Sequence, residues 1–416
     1  MRIFKFGGAS VKDAQGVKNV LTVLEATGTN NLVVVVSAMG KTTNALEKVV
    51  TDYLSKSPEL KASLAFVQDY HYNILEALFP EKSNPVYAEV HALFEELKSF
   101  FEHNKSTSHA YVYDQVVGYG ELISTKIVSH FFDKNGIKNN WLDSRECIKT
   151  DNNYRDAGLD WEQTQNQIKE RVNTKSLTVT QGFLGSNDNN FTTTLGREGS
   201  DYTAAIFAYC LGAESVTIWK DVPGVLNADP RVFENTTLLQ QISYREAIEM
   251  AFYGASVIHP KTLQPLQRKE IPLFVKSFLN PTQPGTSVAK GKDLIPAVSC
   301  YIVKKEQVLI SLSSLDFSFM MEDNIGEVFK LLHKNKMKVN MIQNSAISFT
   351  VVVDNKYNKL EELLTQLRSK FKVKFNENTT LYTIRHFKEN DVEKLENGFE
   401  VLLKQQNRDT MQLVVR

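Results

Sequence analysis

The sequence predicts an α/β protein built around a mostly parallel sheet, followed by a smaller ferredoxin-like α+β region. Two observations carry that prediction. Over the first two thirds of the 416 residues, short apolar runs alternate with helical stretches, the rhythm of βαβ units covered on both faces. Beyond a stretch rich in proline and glycine, Asn280–Val298, the order becomes strand, helix, strand, strand, helix, strand, which is the ferredoxin-like pattern.

Taken in order, RIFKF reads as a buried strand running into Gly7-Gly8, and NLVVVVSAMG as a second one ending in small residues. From Asn44 to about Asp133 apolar residues recur at threes and fours, which predicts helices. WLDS, SLTVTQGFLG, SVTIWKDVPG and IPLFVKS give four more strands, separated by helices at Asp201–Leu211, Tyr244–Tyr253 and Ser256–Arg268. Ligands of such sheets sit beyond the carboxyl ends of the strands. Gly7-Gly8, Ser37–Gly40, Gly182–Gly185 and Asp221–Gly224 are therefore expected to meet at one edge. In the tail, QVLISLS, KVNMIQN, ISFTVVVD and FKVKF are strands. Ile325, Val328, Phe329 and Leu332 make one helical face, and Leu360, Leu363, Leu364 and Leu367 another. TTLYTIRHF, a helix carrying Val392, Leu395, Phe399 and Leu402, and MQLVV read as a second, incomplete copy. The expected boundaries are 1–285, a linker at 286–300, then 301–376 and 377–416.

Composition narrows the function classes. Lys plus Arg equals Asp plus Glu, 48 each, so no global field steers the chain to nucleic acid or an anionic membrane. Cys147, Cys210 and Cys300 are far apart without a CxxC, which argues against a disulfide framework or a zinc site. No apolar run is long enough for a membrane span, and MRIFKFGGAS has no secretory pattern. A cytoplasmic setting is expected.

The motifs point to anion chemistry. In KFGGAS, Lys5 precedes two glycines at a strand end, where a fixed cation and close-approaching N–H groups suit a transferring phosphoryl group. SAMGKTTN contains GKT, but Val35 stands where a P-loop needs glycine, so a P-loop is rejected; Thr43 or Asn44 would cap the following helix. VGYGELIST lacks the third glycine and the preceding strand of a dinucleotide fingerprint, which leaves a glycine-flanked Glu121 on a helix. In TTTLGREGSDYTAA, Gly196 and Gly199 flank Arg197, whose planar fork suits a carboxylate or phosphate, and Ser200 and Asp201 sit where a helix N-cap belongs. WKDVPGVLNADPR places Asp221 after a strand and two turns before Arg231, consistent with a nucleotide loop.

In this order, KFGGAS, SAMGKTTN, GYGELIST, TTTLGREGSDYTAA, WKDVPGV…ADPR and GASVIHPKTL resemble the aspartate kinases of the amino acid kinase superfamily, from Met1 to about Ser287. The tail resembles the ACT regulatory domains of that family. The resemblance implies an amino-acid-kinase-type sandwich around the parallel sheet, and transfer of the ATP γ-phosphoryl to the β-carboxylate of L-aspartate. It implies Mg²⁺ held mainly by the nucleotide phosphates, with no protein metal site. Lys5 would contact the transferring phosphoryl group, and Gly7, Gly8 and Ser37 would donate to phosphate oxygens. Arg197 would grip the substrate α-carboxylate and Glu121 its α-ammonium, with Thr43 and Ser200 helping to hold the substrate. Asp201 would orient Lys5. Lys220, Asp221, Leu226 and Arg231 would hold ATP, and Ser256 stands where some relatives carry a nucleotide-contacting lysine. Asn324, Ile325, Asn340 and Ser345 would line an amino-acid effector site, with lysine, threonine or no effector all open, and ACT strands would pair two subunits into a homodimer. Departures are Ala9 for Thr, Glu198 for Gly, Lys220 for Thr, and Asn340 and Ala346 where lysine-inhibited relatives carry an acidic pair. A kinase of glutamate or N-acetylglutamate and a non-catalytic amino-acid sensor are the alternatives.

Overall fold

The computed structural model describes residues 1–173, 175–255, 258–316 and 318–416. The chain forms two compact units. The first comprises Met1–Val225, Leu238–Ile248 and a segment ending at Pro296; the second comprises Leu226–Thr237, a segment starting at Glu249, and Ala297–Arg416.

The first unit is built on eight strands: β1 (Arg2–Phe6), β2 (Leu32–Val36), β3 (Asn139–Leu142), β4 (Leu177–Gln181), β7 (Ser215–Lys220), β8 (Gln241–Ser243), β9 (Leu273–Ser277) and β10 (Thr286–Ala289). Their order is β3-β4-β2-β1-β7-β9-β10-β8, and only the β9–β10 pair is antiparallel. The remaining strands, β5 (Leu184–Ser186) and β6 (Thr192–Thr194), form a separate two-stranded sheet. All five residues of β2 are buried, as expected of a strand covered on both faces. Its helices are α1 (Ala14–Thr27), α2 (Thr42–Leu54), α3 (Leu60–Leu78), α4 (Pro85–His103), α5 (His109–Lys134), α6 (Ser144–Cys147), α7 (Trp161–Arg171), α8 (Gly199–Leu211), the first half of α9 (Tyr244–Tyr253), and α10 (Pro260–Arg268). The main core lies between the central strands and α1–α5, with Phe6, Val34, Val36, Leu46, Val116, Ile123 and Phe132 fully or almost fully buried.

Two helix starts differ from the sequence reading. The residue preceding α8 is Glu198, in the left-handed region at φ 54°, so Ser200 and Asp201 lie inside the first turn and do not cap it. Lys41 precedes α2 without a side-chain cap, so neither Thr43 nor Asn44 caps it; the Thr42 hydroxyl instead donates back to the Met39 carbonyl at 2.6 Å.

In the second unit, β11 (Cys300–Ser313), β12 (Lys338–Asn344), β13 (Ser348–Asp354), β14 (Lys372–Arg385), β15 (Val401–Gln406) and β16 (Thr410–Val415) form one antiparallel sheet in the order β12-β13-β11-β14-β16-β15. The helices here are α11 (Glu322–Lys334), α12 (Leu360–Arg368) and α13 (Glu389–Glu396). FKVKF and TTLYTIRHF are one continuous strand, β14, and β11 starts earlier than QVLISLS. The far halves of β11 and β14, with β12, β13, α11 and α12, make one ferredoxin-like arrangement around Ile310, Val351 and Leu364. Cys300–Lys304, the near half of β11, pairs with Leu381–Arg385, so the strand missing from the second copy in sequence order is present in space. The helix expected over Val392–Leu402 ends at Glu396, and Leu402 lies in β15.

Candidate active site

The site begins with register. Phe6 pairs with Val36 and Trp219, and Val36 with Gln181, so β1, β2, β4 and β7 end level at one edge. The turns that follow are stitched together. The Ser37 amide donates to the Phe6 carbonyl at 3.0 Å, the Gly182 amide to the Val36 carbonyl at 3.0 Å, and the Gly40 amide to the Gly8 carbonyl at 3.0 Å. Gly8 is required by space: a Cβ there would sit 2.7 Å from the Gly40 carbonyl oxygen and 2.8 Å from that of Ala38.

Lys5 emerges from β1 beside this turn, and a Cβ on Gly7 would lie 3.2 Å from its Nζ. Its ammonium pairs with Asp201 Oδ1 at 2.7 Å, both side chains being almost fully buried. The N-terminal turn of α8 therefore delivers a carboxylate to a lysine from the strand edge and brings the positive end of the helix beside them, although the Gly199 and Asp201 amides are given to the Gly196 and Glu198 carbonyls. Gly182 admits that helix start, since a Cβ there would lie 2.4 Å from that of Ser200.

The third wall is α5. Glu121 Oε1 accepts from the Ala38 amide at 3.4 Å, and Ser124, three residues on, donates to the Ser37 carbonyl at 2.8 Å. Gly120 lets the turn approach, its missing Cβ falling 3.1 Å from that of Ala38. Glu121 is 2% exposed, and its Oε2 is buried without a hydrogen-bond partner. Burial pushes its carboxyl up to about 8, against the pull of the Ala38 amide. A buried carboxyl with one open oxygen is a receptor for a cation.

The turn Gly196–Glu198 leads into α8, with Gly196 at φ 77° and its Cβ position occupied by the Asp156 carboxylate. Arg197 is exposed, and among the described residues it has no ion-pair partner. Glu198 keeps one carboxylate oxygen buried and unpartnered. Burial holds the His259 imidazole below its usual value, with the Glu198 carboxylate working in the opposite direction. Thr43 is half-buried in the first turn of α2, and Ser200 is buried in that of α8.

The structure thus brings together Lys5, Gly7, Gly8, Ser37, Glu121, Ser200 and Asp201. Lys220 is the last residue of β7 and Asp221 follows it, at the same edge of the sheet. Leu226 and Arg231 belong to the second unit, where the Arg231 guanidinium is held by Asp229 at 2.6 Å. Ser256 lies outside the described residues. In the tail, Asn340 Oδ1 accepts from Lys304 Nζ at 2.7 Å and its amide donates to Gln307 at 2.7 Å. Ser345 pairs with the Ser348 hydroxyl, Asn324 accepts from the Met321 amide at the start of α11, and Ile325 packs on the tail core. Ser124 was not singled out in the sequence, where nothing local distinguishes it from any other serine on a long helix.

A mostly parallel sheet whose carboxyl edge presents a fixed cation, glycine-lined amides and a helix start is the build of a small-molecule phosphotransferase. The amino acid kinase family model matches residues 1–277, and the chain belongs to that family. It is 33% identical to lysine-sensitive aspartokinase 3 of Escherichia coli (strain K12), over 85% of this chain and 78% of that one. It is 31% identical to chloroplastic aspartokinase 1 of Arabidopsis thaliana, over 88% of this chain and 65% of that one. The crystal structure of E. coli aspartokinase III with aspartate and ADP superposes with a TM-score of 0.83 at 28% identity, covering 100% of this chain and 96% of that one.

Proposed function

We propose that the chain is an aspartate kinase, transferring the ATP γ-phosphoryl to the β-carboxylate of L-aspartate to give 4-phospho-L-aspartate. The observation that carries this reading is the buried Lys5–Asp201 pair at the glycine turn, together with the unpartnered oxygen of Glu121, whose other oxygen meets the Ala38 amide. One part suits phosphates and the other an ammonium group. A β-carboxylate oxygen attacks the γ-phosphorus, the bond to the bridging oxygen breaks, and ADP leaves with that electron pair. The nucleophile is already ionised at neutral pH, so no general base is needed. Catalysis is then positioning and charge stabilisation.

Lys5 stabilises charge on the transferring group, and Asp201 fixes the Lys5 ammonium. Gly7 and Gly8 offer amides to phosphate oxygens, and Ser37 its hydroxyl, since the Ser37 amide is given to the Phe6 carbonyl. Arg197 takes the α-carboxylate, Glu121 the α-ammonium, and Thr43 and Ser200 flank the substrate. Lys220 and Asp221 hold the nucleotide, and the same role is proposed for Leu226 and Arg231, whose guanidinium keeps Nη1 free among the described residues while Nε and Nη2 pair with Asp229. Mg²⁺ would enter on the ATP phosphates and supply charge neutralisation there. The product is an activated acyl group, the entry step of lysine, threonine and methionine synthesis, and the cytosol is the expected setting. Among the described residues, no helix is long and apolar enough to cross a membrane.

The tail reads as paired ACT-type regulatory modules. The outer strands β12 and β15 leave free sheet edges, on which two copies pair into a homodimer. An amino-acid effector is proposed at Asn324, Ile325, Asn340 and Ser345, with Asn340 already engaged by Lys304 and Gln307. Millimolar lysine or threonine that changes neither activity nor thermal stability removes that effector.

The test is ADP release with Mg²⁺ against L-aspartate, L-glutamate and N-acetyl-L-glutamate, with hydroxylamine trapping of the acyl phosphate. Aspartate is the expected substrate, and absence of turnover on it sinks the reading. Lys5→Ala is expected to abolish turnover while ATP still binds; near-normal turnover would remove Lys5 from the mechanism.

A further inference from the structure

Asp114 lies on α5, seven residues before Glu121 and therefore close to the same helix face. It is completely buried, and the reading above gives it no task. Its carboxylate is nonetheless the meeting point of two loops. Oδ2 accepts from the Thr194 amide at 2.8 Å and the Arg155 amide at 3.0 Å; Oδ1 accepts from the Thr194 hydroxyl at 2.9 Å and the Arg155 amide at 3.1 Å. The Thr194 carbonyl in turn accepts from the Ala157 amide at 2.9 Å. Next to Asp114, Gln115 clasps the Thr192 backbone through both its amide nitrogen, at 2.8 Å, and its oxygen, at 3.2 Å.

These contacts converge on the start of the Arg197 turn. Thr194 is the last residue of β6, and Arg197 follows three positions on. Arg155 is held at φ 72°, a left-handed conformation that costs a non-glycine residue free energy and persists only where its surroundings impose it. Asp156, the next residue, fills the space that a side chain at Gly196 would need and is ion-paired to Lys261. The buried carboxylate thus fastens the turn from one side and the 155–157 loop packed on it from the other.

We propose that Asp114 is a positioning residue for substrate recognition: by fixing Thr194 and the 155–157 loop, it sets where Arg197 presents its guanidinium to the α-carboxylate of aspartate. This rests on the assignment of Arg197 to that carboxylate. The donor set explains why the group is a carboxylate, because every contact from Thr194 and Arg155 is an N–H or O–H and an acceptor-only side chain meets them all. An asparagine there turns an NH₂ toward one of those donors.

The experiment is steady-state kinetics of the full chain with a double-mutant cycle. Asp114→Asn is expected to raise KM for L-aspartate about tenfold, with kcat within about threefold and KM for ATP unchanged. In an Arg197→Ala background the same substitution is expected to add less than about twofold, because the group it positions is gone. If Asp114→Asn fails to fold, Thr194→Val, which removes only the hydroxyl donor, decides the matter with an expected two- to fivefold rise of about the same selectivity. Equal rises in both KM values, or a KM for aspartate unchanged in a folded variant, overturn the proposal. If Arg197→Ala itself leaves KM for aspartate unchanged, the assignment of Arg197 fails; a rise there without one in Asp114→Asn fails the inference alone.

Discussion

In the proposed site, Glu121 as receptor of the substrate ammonium would make aspartate binding a proton-linked event. Its carboxyl is held at about 8 by burial, above the 4.5 of an exposed glutamic acid, so the empty site carries it protonated at pH 7. An ammonium group at the open oxygen favours the ionised form, and binding then releases a proton. KM for aspartate is expected to fall as pH rises to about 8 and to level off above it. Calorimetry in buffers of different ionisation enthalpy at pH 7 reads the released proton directly; a heat independent of the buffer contradicts it. Stability moves the other way. Between 4.5 and 8 the unfolded chain has lost a proton that the fold retains, so this residue lowers stability as pH rises through that window. Glu121→Gln is therefore expected to raise the melting temperature at pH 9 more than at pH 4, while weakening aspartate. Glu198 has a separate cost, a left-handed backbone with a buried, unpartnered oxygen. Glu198→Gly is expected to stabilise the fold by about 1 kcal/mol, measured by denaturant unfolding. Lys5, Glu121 and Asp201 were legible because glycines or motif order marked them. Asp114 and Ser124 were not, because on a long helix a buried carboxylate or hydroxyl looks like any polar residue until the loops it holds are placed.

At the scale of elements, the glycine turn is the most confined part of the edge. The Cβ of Gly8→Ala would press on two backbone carbonyl oxygens that belong to the Ala38–Gly40 turn, so relief requires moving that turn. A loss of about 1–3 kcal/mol in stability is expected, with weaker ATP binding measured by titration. β1, β2, β4, β7 and β9 were readable as short apolar runs, whereas β8 is three residues long and β10 lies inside the 286–300 segment expected to be a linker, so only pairing in space makes them strands. Elements of the tail were harder. Val392, Leu395, Phe399 and Leu402 are spaced as a helix face, yet only the first two lie in α13, and Val401–Gln406 pairs with β16. The polar stretch around Asn376–Thr379 reads as a break, but in space it is an irregularity within β14, with Asn378 at φ 55°. Long-range pairing overrides local pattern in both places.

For the whole molecule, light scattering tests the pairing of copies. A mass of two chains is expected, and Ile342→Pro on the outer strand β12, where the residue is exposed, is expected to give a single chain without loss of the tail's own melting transition. The order of the tail's elements was largely visible in advance, but its second copy looked truncated because its missing strand precedes it in the chain, as the near half of β11. Since β11 and β14 each run through both ferredoxin-like arrangements, neither arrangement can be excised without cutting strands in the interior of the sheet. A protease that opens this tail is expected to find no stable half to leave behind. Digestion under native conditions would run from intact tail to small peptides, with the two arrangements lost at the same rate.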